Sequence, residues 1–310
     1  MKRSVFLILA ALAIIISGCV PAGQKEGGAF LTVQDSAGQT VRLDKKPSRV
    51  VLLTPSLAEI YHAVGGDFIA MAGTPGTALP DYAKGKQSVG WSYQVDMEAL
   101  VSLKPDLVVG LNGLNNYLSQ GLAQNHVPFL LLSLSTYNDV KRAVRIFSAA
   151  AENTEAGKSI IEDLDRRMKQ YIDRVQKKPY SFAVIHGTGK SLTIETKGSI
   201  ACDAAERLGM VNVFDGLSMK DIGHMPPFSM EQLAVKDPDI IFLTTMVRPG
   251  QEAEVFTASV MAQPAWNELR AVKNNRVYFL PQDRFLKSPG VHYPEAVQFM
   301  ADKVYGRGDA

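Results

Sequence analysis

The chain has 310 residues, a formal net charge of +2 and 46% apolar residues, which is enough apolar material for two ordinary cores. A charge this even, with no basic block and no interleaved aromatic stripe, argues against nucleic acid as a partner. Two cysteines in the whole chain, Cys19 and Cys202, exclude a disulfide-built scaffold.

Lys2 and Arg3 precede an unbroken apolar run from Val5 to Ile16, which closes with Ser17, Gly18 and Cys19. The run is too short to span a bilayer, which takes about twenty residues, so it reads as a signal h-region. Its ending resembles a bacterial lipoprotein signal, in which residues 1–18 are removed and Cys19 carries lipid; the alternative is an ordinary secretory signal with an incidental cysteine. Multiple acyl chains give durable attachment. Residues 19–29, rich in Gly with one Pro, read as a lipidated flexible tether. Cys202 then remains as the one thiol. Its helical apolar surroundings in "GSIACDAAERLGM" mark it as a small core residue rather than a nucleophile.

From Phe30 the segment "FLTVQDSAGQTVRL" alternates on both sides of a turn, predicting a hairpin. "RVVLLTP" predicts a buried strand, and "SLAEIYHAVGG" a helix with Leu57, Ile60, Tyr61 and Val64 on one face and Gly65 ending it. The alternation continues with a helix over 97–103, the strand "DLVVG", a helix over about 115–124 and the strand "PFLLL". Strands alternating with helices imply a mainly parallel sheet covered on both faces, here over residues 30–153. Residues 138–177 turn helical. Thr154 is a suitable N-cap for a helix over 154–177, about 35 Å long at ~1.5 Å per residue, that would join two lobes. Over 178–310 the alternation resumes with "SFAVIHG", "SLTIET", helices over 199–208 and 230–235, "DIIFLTT", "RVYFLP" and a closing helix from Pro294 to Tyr305. The fold class is therefore α/β, two lobes joined by one long helix.

One stretch is written twice. "DMEALVSLKPDLVV" from Asp96 and "SMEQLAVKDPDIIF" from Ser229 coincide in Met, Glu, Leu, Pro and Asp at a constant offset of 133 positions. Asp96 and Ser229 are good N-caps, which puts Glu98 and Glu231 in the first turns of their helices. Dipole stabilisation of ~0.3 to 1 kcal/mol per acid accounts for an acid at a helix start, but not for matching acids in two lobes.

With "RVVLLTPSLAEIYHAVGG", "VGWSYQVDMEALVSLKPDLVVG", "TKGSIACDAAERLGMVNVFDG", "FSMEQLAVKDPDIIFL" and "WNELRAVKNNRVYFLP" in this order, the chain resembles the substrate-binding lipoproteins of ABC importers for iron-siderophores, heme and cobalamin. The resemblance runs from about Val33 to Tyr305. It implies a monomeric binder, lipid-anchored outside the cytoplasm or facing the periplasm in a two-membrane cell. No cofactor is permanently bound, and cargo is held between the lobes with only small opening motions. It implies as partners a permease dimer with its cytoplasmic ATPase, the permease docked by one glutamate from each lobe, here Glu98 and Glu231. A two-fold partner offers two equivalent pockets, so equivalent acids suit it. The cargo it implies is heme or a ferric siderophore, with cobalamin or another corrinoid as the alternative.

Ligands of open α/β sheets bind beyond the carboxyl ends of the strands. That places Trp91 and Tyr93, His186, His224 and Met225, Met246 and Arg248, and Arg284 and Lys287 as candidate binding residues. Trp91 and Tyr93 can stack on a planar ligand or simply pack, and the basic residues can pair with carboxylates or stay solvated. "GTALPDYAKGKQSVG" and the "VGWSYQVDME" loop bring the chain nearest to heme-binding members, which by resemblance hold iron with a Met in this loop and a His in the second lobe. Here Tyr93 stands at the Met position and Met246 near the His, with His224 as an alternative; Tyr, His and Met can all ligate heme iron. Free metal ions fit poorly, since His62, His126, His186, His224 and His292 form no short-spaced ligand set. His62 and His126 read as structural residues of helical segments.

Enzyme readings fail on spacing. "HGTGKS" at 186–191 lacks the leading glycine of a phosphate loop, because that position is Val184. No G-x-S-x-G elbow accompanies the "HGTG" segment. Glu98 and Glu231 on separate lobe tips are too far apart for two-carboxyl glycoside cleavage.

Overall fold

The computed structural model describes residues 28–76, 78–175, 178–188, 191–216, 225–247, 252–256 and 260–306. A hairpin comes first: β1 (Leu31–Gln34) pairs antiparallel with β2 (Thr40–Leu43). Asp35 shapes its turn by accepting from Ala37 N at 2.9 Å and Gln39 N at 2.7 Å.

The first sheet contains β3 (Val50–Leu52), β4 (Ala70–Gly73), β5 (Gln87–Trp91), β6 (Gln94–Val95), β7 (Leu107–Leu111) and β8 (Phe129–Leu132), in the order β6-β5-β4-β3-β7-β8. All its pairings are parallel except β5 with β6. β3, β7 and β8 are continuous apolar runs that the helices bury on both faces, as parallel strands require. The helices are α1 (Pro55–Ala63), α2 (Met97–Ser102), α3 (Ser119–Gln124) and α4 (Tyr137–Ala150), and α4 starts with a capping box between Thr136 and Asp139. The segment expected to be a loop at 91–93 is instead the tight turn of the β5–β6 hairpin. His62 stacks on Tyr82 with centroids 4.4 Å apart, whereas His126 is exposed and lies past the end of α3 in left-handed backbone.

The connecting helix α5 runs Thr154–Asp173, 20 residues or roughly 30 Å. Its N-cap is Asn153, which accepts from Ala156 N, and Thr154 is the first helical residue rather than the cap expected. Gly157 lets α5 press onto α4: a Cβ there would lie 2.4 Å from Ser148 Oγ.

The second sheet is β10-β9-β12-β13, with β9 (Ser181–Gly187), β10 (Leu192–Glu195), β12 (Ile240–Thr245) and β13 (Val277–Phe279); β11 (Val211–Asn212) adds to the start of β9. β10 alone is antiparallel. Its helices are α6 (Ile200–Arg207), α7 (Met230–Lys236), α8 (Glu252–Phe256), α9 (Pro264–Glu268), α10 (Arg270–Lys273), α11 (Gln282–Phe285) and α12 (Tyr293–Tyr305). Cys202 on α6 is fully buried.

A single apolar core joins the two lobes. It contains Val50, Leu52 and Leu57 from the first, Val144, Phe147, Leu164 and Met168 from α4 and α5, and Phe182, Val184, Phe242, Val297 and Met300 from the second. Polar ties reinforce it. Asp203 on α6 accepts from Tyr137 N at 3.1 Å and from Tyr293 Oη at 2.7 Å, and Arg167 on α5 pairs with Glu295 on α12. The carboxyl edges of the two sheets meet where Ser56, just past β3, donates to Ser288 O at 2.7 Å and Ser288 Oγ donates to Leu134 O, just past β8, at 3.3 Å.

Candidate functional site

The two repeated acids occupy matching places. Asp96 caps α2 by accepting from Ala99 N at 3.0 Å, Ser229 caps α7 by accepting from Gln232 N at 3.2 Å, and both Glu98 and Glu231 are exposed in the first turn. Each helix starts beside an edge strand near the carboxyl edge of its sheet. α2 follows directly on edge strand β6, with Asp96 N donating to Val89 O on the neighbouring β5, and Phe228 N before α7 donates to Leu192 O on edge strand β10. A cavity of about 510 Å³ opens beside Glu231, lined also by Val213, Phe214, Gln232 and Val235.

The carboxyl edge of the first sheet carries an apolar rim. Trp91 is 45% exposed, Tyr93 58% and Tyr117 56%, with Leu79 and Leu114 also exposed nearby in the chain loops that leave β4 and β7. The rim is held from beneath. Fully buried Asn115 donates to Ser92 O at 2.8 Å and accepts from Leu111 N at 2.9 Å, while Ser92 N and Oγ both donate to Gly73 O. Tyr117 accepts from Val95 N at 3.0 Å, so the segment after β7 crosses the sheet edge to reach β6. Sequence reasoning missed Asn115, Tyr117, Leu79 and Leu114; the paired asparagines of "LNNYL" at a strand end were the available signal.

On the second lobe Met246, just past β12, is 61% exposed. Met225 is half-buried, with its Sδ 3.7 Å from Thr193 Oγ1. His186 is not in a loop as expected but within β9, where it is buried. Its Nδ1 lies 3.0 Å from Thr244 Oγ1, which also contacts Oε1 of buried Glu195. Burial pushes the Glu195 carboxyl above its usual range, against hydrogen bonds from Thr244 and Ser199. Arg284, half-buried on α11, lies with its guanidinium 5.2 Å from the Phe299 ring centre, while Lys287 is exposed. Cys19, His224 and Arg248 lie outside the described residues. Among the described residues no helix is long and apolar enough to cross a membrane, and no group of three or more His, Cys, Asp or Glu is placed to hold a metal ion.

Comparison with known proteins gives a consistent result. A family model described as periplasmic binding protein matches residues 50–284. An uncharacterised ABC transporter substrate-binding lipoprotein of Bacillus subtilis is 26% identical over 98% of this chain and 97% of its own. The Fe(3+)-citrate-binding protein of the same organism is 22% identical over the same shares. The high-affinity heme uptake system protein IsdE of Staphylococcus aureus is 22% identical over 96% of each chain. Its structure with heme superposes with a TM-score of 0.73 at 20% identity, covering 83% of this chain and 98% of that one.

Proposed function

This chain belongs to the periplasmic binding protein family, and from that premise we propose that it is the extracytoplasmic receptor of an ABC importer for an iron complex, heme or a ferric siderophore. It acts as a monomer, anchored through lipid on Cys19, and carries cargo between its lobes to a permease dimer served by a cytoplasmic ATPase. The observation that carries the reading is the pair of exposed carboxylates, Glu98 and Glu231, each in the first turn of a capped helix near the carboxyl edge of its own sheet. Two acids in matching frames suit a two-fold partner with a basic pocket in each half.

The cargo part of the proposal rests on the rim. Trp91, Tyr93 and Tyr117 offer ring faces, and none of them is paired with another ring among the described residues. Exposed rings fit the flat apolar face of a porphyrin or a catecholate better than citrate. The named cargoes of the relatives, ferric citrate and heme, favour iron over a corrinoid.

Uptake by cells carrying Glu98→Lys together with Glu231→Lys tests the docking role. Uptake is expected to be lost while hemin affinity of the purified protein is unchanged; unimpaired uptake refutes it. Absorbance titration with hemin and with ferric citrate tests the cargo, and binding of neither refutes an iron complex of these kinds.

A further inference from the structure

The helices that carry the repeated acids differ in the faces they show to solvent. On α7, Leu233 is fully buried and Met230 packs against the same core, which leaves Glu231, Gln232, Val235 and Lys236 exposed. Val235, one turn on from Glu231, is 84% exposed, the most open large apolar side chain among the described residues. The position 133 earlier, one turn on from Glu98, is Ser102, an exposed residue whose hydroxyl donates to Ala99 O at 2.8 Å within its own helix. Where α7 is apolar, α2 is polar.

Val235 borders the cavity of about 510 Å³, and Val213, Phe214 and Gly216 line it from the segment after β11. That second wall is fixed in place. Val213 N donates to Phe182 O on β9 at 2.9 Å, Phe214 N donates to Oδ1 of buried Asn212 at 2.9 Å, and Phe214 belongs to the second lobe's own core. A Cβ built on Gly216 would meet nothing within 4 Å, so no described residue closes that side. The helix wall carries a charge at each end, Glu231 and Lys236, and neither side chain has an ion pair or hydrogen bond with another described residue. A lone exposed valine needs no explanation, but this one shares a cavity with two more apolar side chains and with the acid proposed to dock.

Building on the docking reading, we infer that this groove is an apolar extension of the second lobe's contact with the permease, and that the first lobe has no counterpart to it. The partner segment sets a basic side chain against Glu231 and, about 6 Å away as for residues one helical turn apart, an apolar side chain between Val235 and Val213. Lys236 at the far end takes an oxygen of the same segment, a carbonyl or a carboxylate. A groove whose far wall is already bonded to β9 needs no ordering when it is filled, so the burial counts toward affinity. The two contacts are then equal in charge and unequal in apolar burial: the matched acids set the register, and α7 adds the hold that Ser102 on α2 cannot.

The test is iron uptake by cells supplied with hemin or ferric citrate, with cargo titrations and urea midpoints of each purified variant alongside. Serine and valine have similar helix propensities, so Val235→Ser should leave the midpoint unchanged. It should lower uptake about five- to tenfold, the loss of one valine side chain buried at an interface, at unchanged cargo affinity. Val235→Leu, which keeps the apolar contact, and Ser102→Val, on the lobe without a groove, should each stay within about twofold of wild type. If Val235→Ser leaves uptake unchanged while Glu231→Lys abolishes it, this inference alone is overturned. It is overturned equally if Val235→Ser lowers the urea midpoint or weakens cargo binding, since the groove then belongs to the fold or to the cargo site. If Glu98→Lys together with Glu231→Lys leaves uptake unimpaired, the docking reading falls and takes this inference with it.

Discussion

In the first lobe, α2 is followed by Lys104 in left-handed backbone (φ 46) and then Asp106, which accepts from Ser48 N at 2.9 Å, Ser48 Oγ at 3.0 Å and Arg49 N at 2.7 Å. In the second, α7 ends at Asp237 (φ 37) and leads to Asp239, which accepts from Ser181 N at 2.9 Å and Ser181 Oγ at 2.7 Å. An arginine closes each helix: Arg49 donates to Leu103 O, and Arg270 to Asp237 O. Lys104 with Asp237, Asp106 with Asp239 and Ser48 with Ser181 all stand 133 positions apart, like the two glutamates. The sheet edges show no such match. One has exposed rings above Asn115; the other has a buried His–Thr–Glu chain and Met246. Duplication is tight along α2 and α7 and at the clamps that follow them, and absent at the carboxyl edges of the two sheets.

The sharpest way to break this comparison is to reverse one acid at a time. Glu98→Lys and Glu231→Lys should each reduce uptake by on the order of tenfold or more, and by similar factors, as expected for a charge pair lost at an interface. A loss confined to one of them would show that the matching frames do not serve matching partners.

The next effect is on stability and separates the two aspartate clamps. Asp239 is the better enclosed: Asp239 N donates in return to Ser181 Oγ at 3.0 Å, and Arg270 lies 3.1 Å from the carboxylate. Asp239→Ala should cost about 3 kcal/mol and Asp106→Ala about half that, read from urea midpoints. Burial raises the Asp239 pKa, but bonds from Ser181 and the nearby Arg270 and Arg276 outweigh it and hold the carboxyl below its ordinary 3.8. A depressed folded value stabilises above the unfolded pKa and loses that contribution as pH falls through the folded one. The gap between wild type and Asp239→Asn should therefore be full at neutral pH and shrink below 3.8.

What could be read in advance follows the same division. β3, β7, β8, β9 and β12 are apolar runs whose composition alone marks them as buried strands, and α2 and α7 announce themselves through cap, acid and Pro-Asp. β4 to β6 could not be read. "AMAG" and "QSVGW" are small or polar, and they become strands because β3 offers an edge to β4 and β4 in turn offers one to β5. Tyr117 and Asn115 escaped for a related reason, since their partners, Val95 on β6 and Ser92 in the β5–β6 turn, lie 22 and 23 residues back. The His186 chain draws on β9, β10 and β12, residues 49 and 58 apart, which no local spacing reveals. Histidine in a strand is also hard to tell from histidine in a loop when glycine follows it, as Gly187 does here.

The smallest effect lies at the seam itself, where the lobes are tied by an ion pair that neither repeats. His292, between β13 and α12, has its Nε2 2.9 Å from Oε1 of Glu59 on α1. The bond to Glu59 raises its pKa above 6.5, burial works against this, and Glu295 and Arg167 act in opposite senses. A raised folded value means that the contribution is complete below 6.5 and disappears as pH rises through the raised value. Because the imidazole is 62% exposed, water and salt screen the pair, and its share of stability should be no more than about 0.5 kcal/mol. Urea midpoints of wild type and His292→Gln should differ at about pH 6 and coincide at about pH 9, with the acid difference shrinking in high salt. An unchanged difference at both pH values would leave the seam to Ser56 and Ser288, whose hydroxyl-to-carbonyl bonds do not titrate.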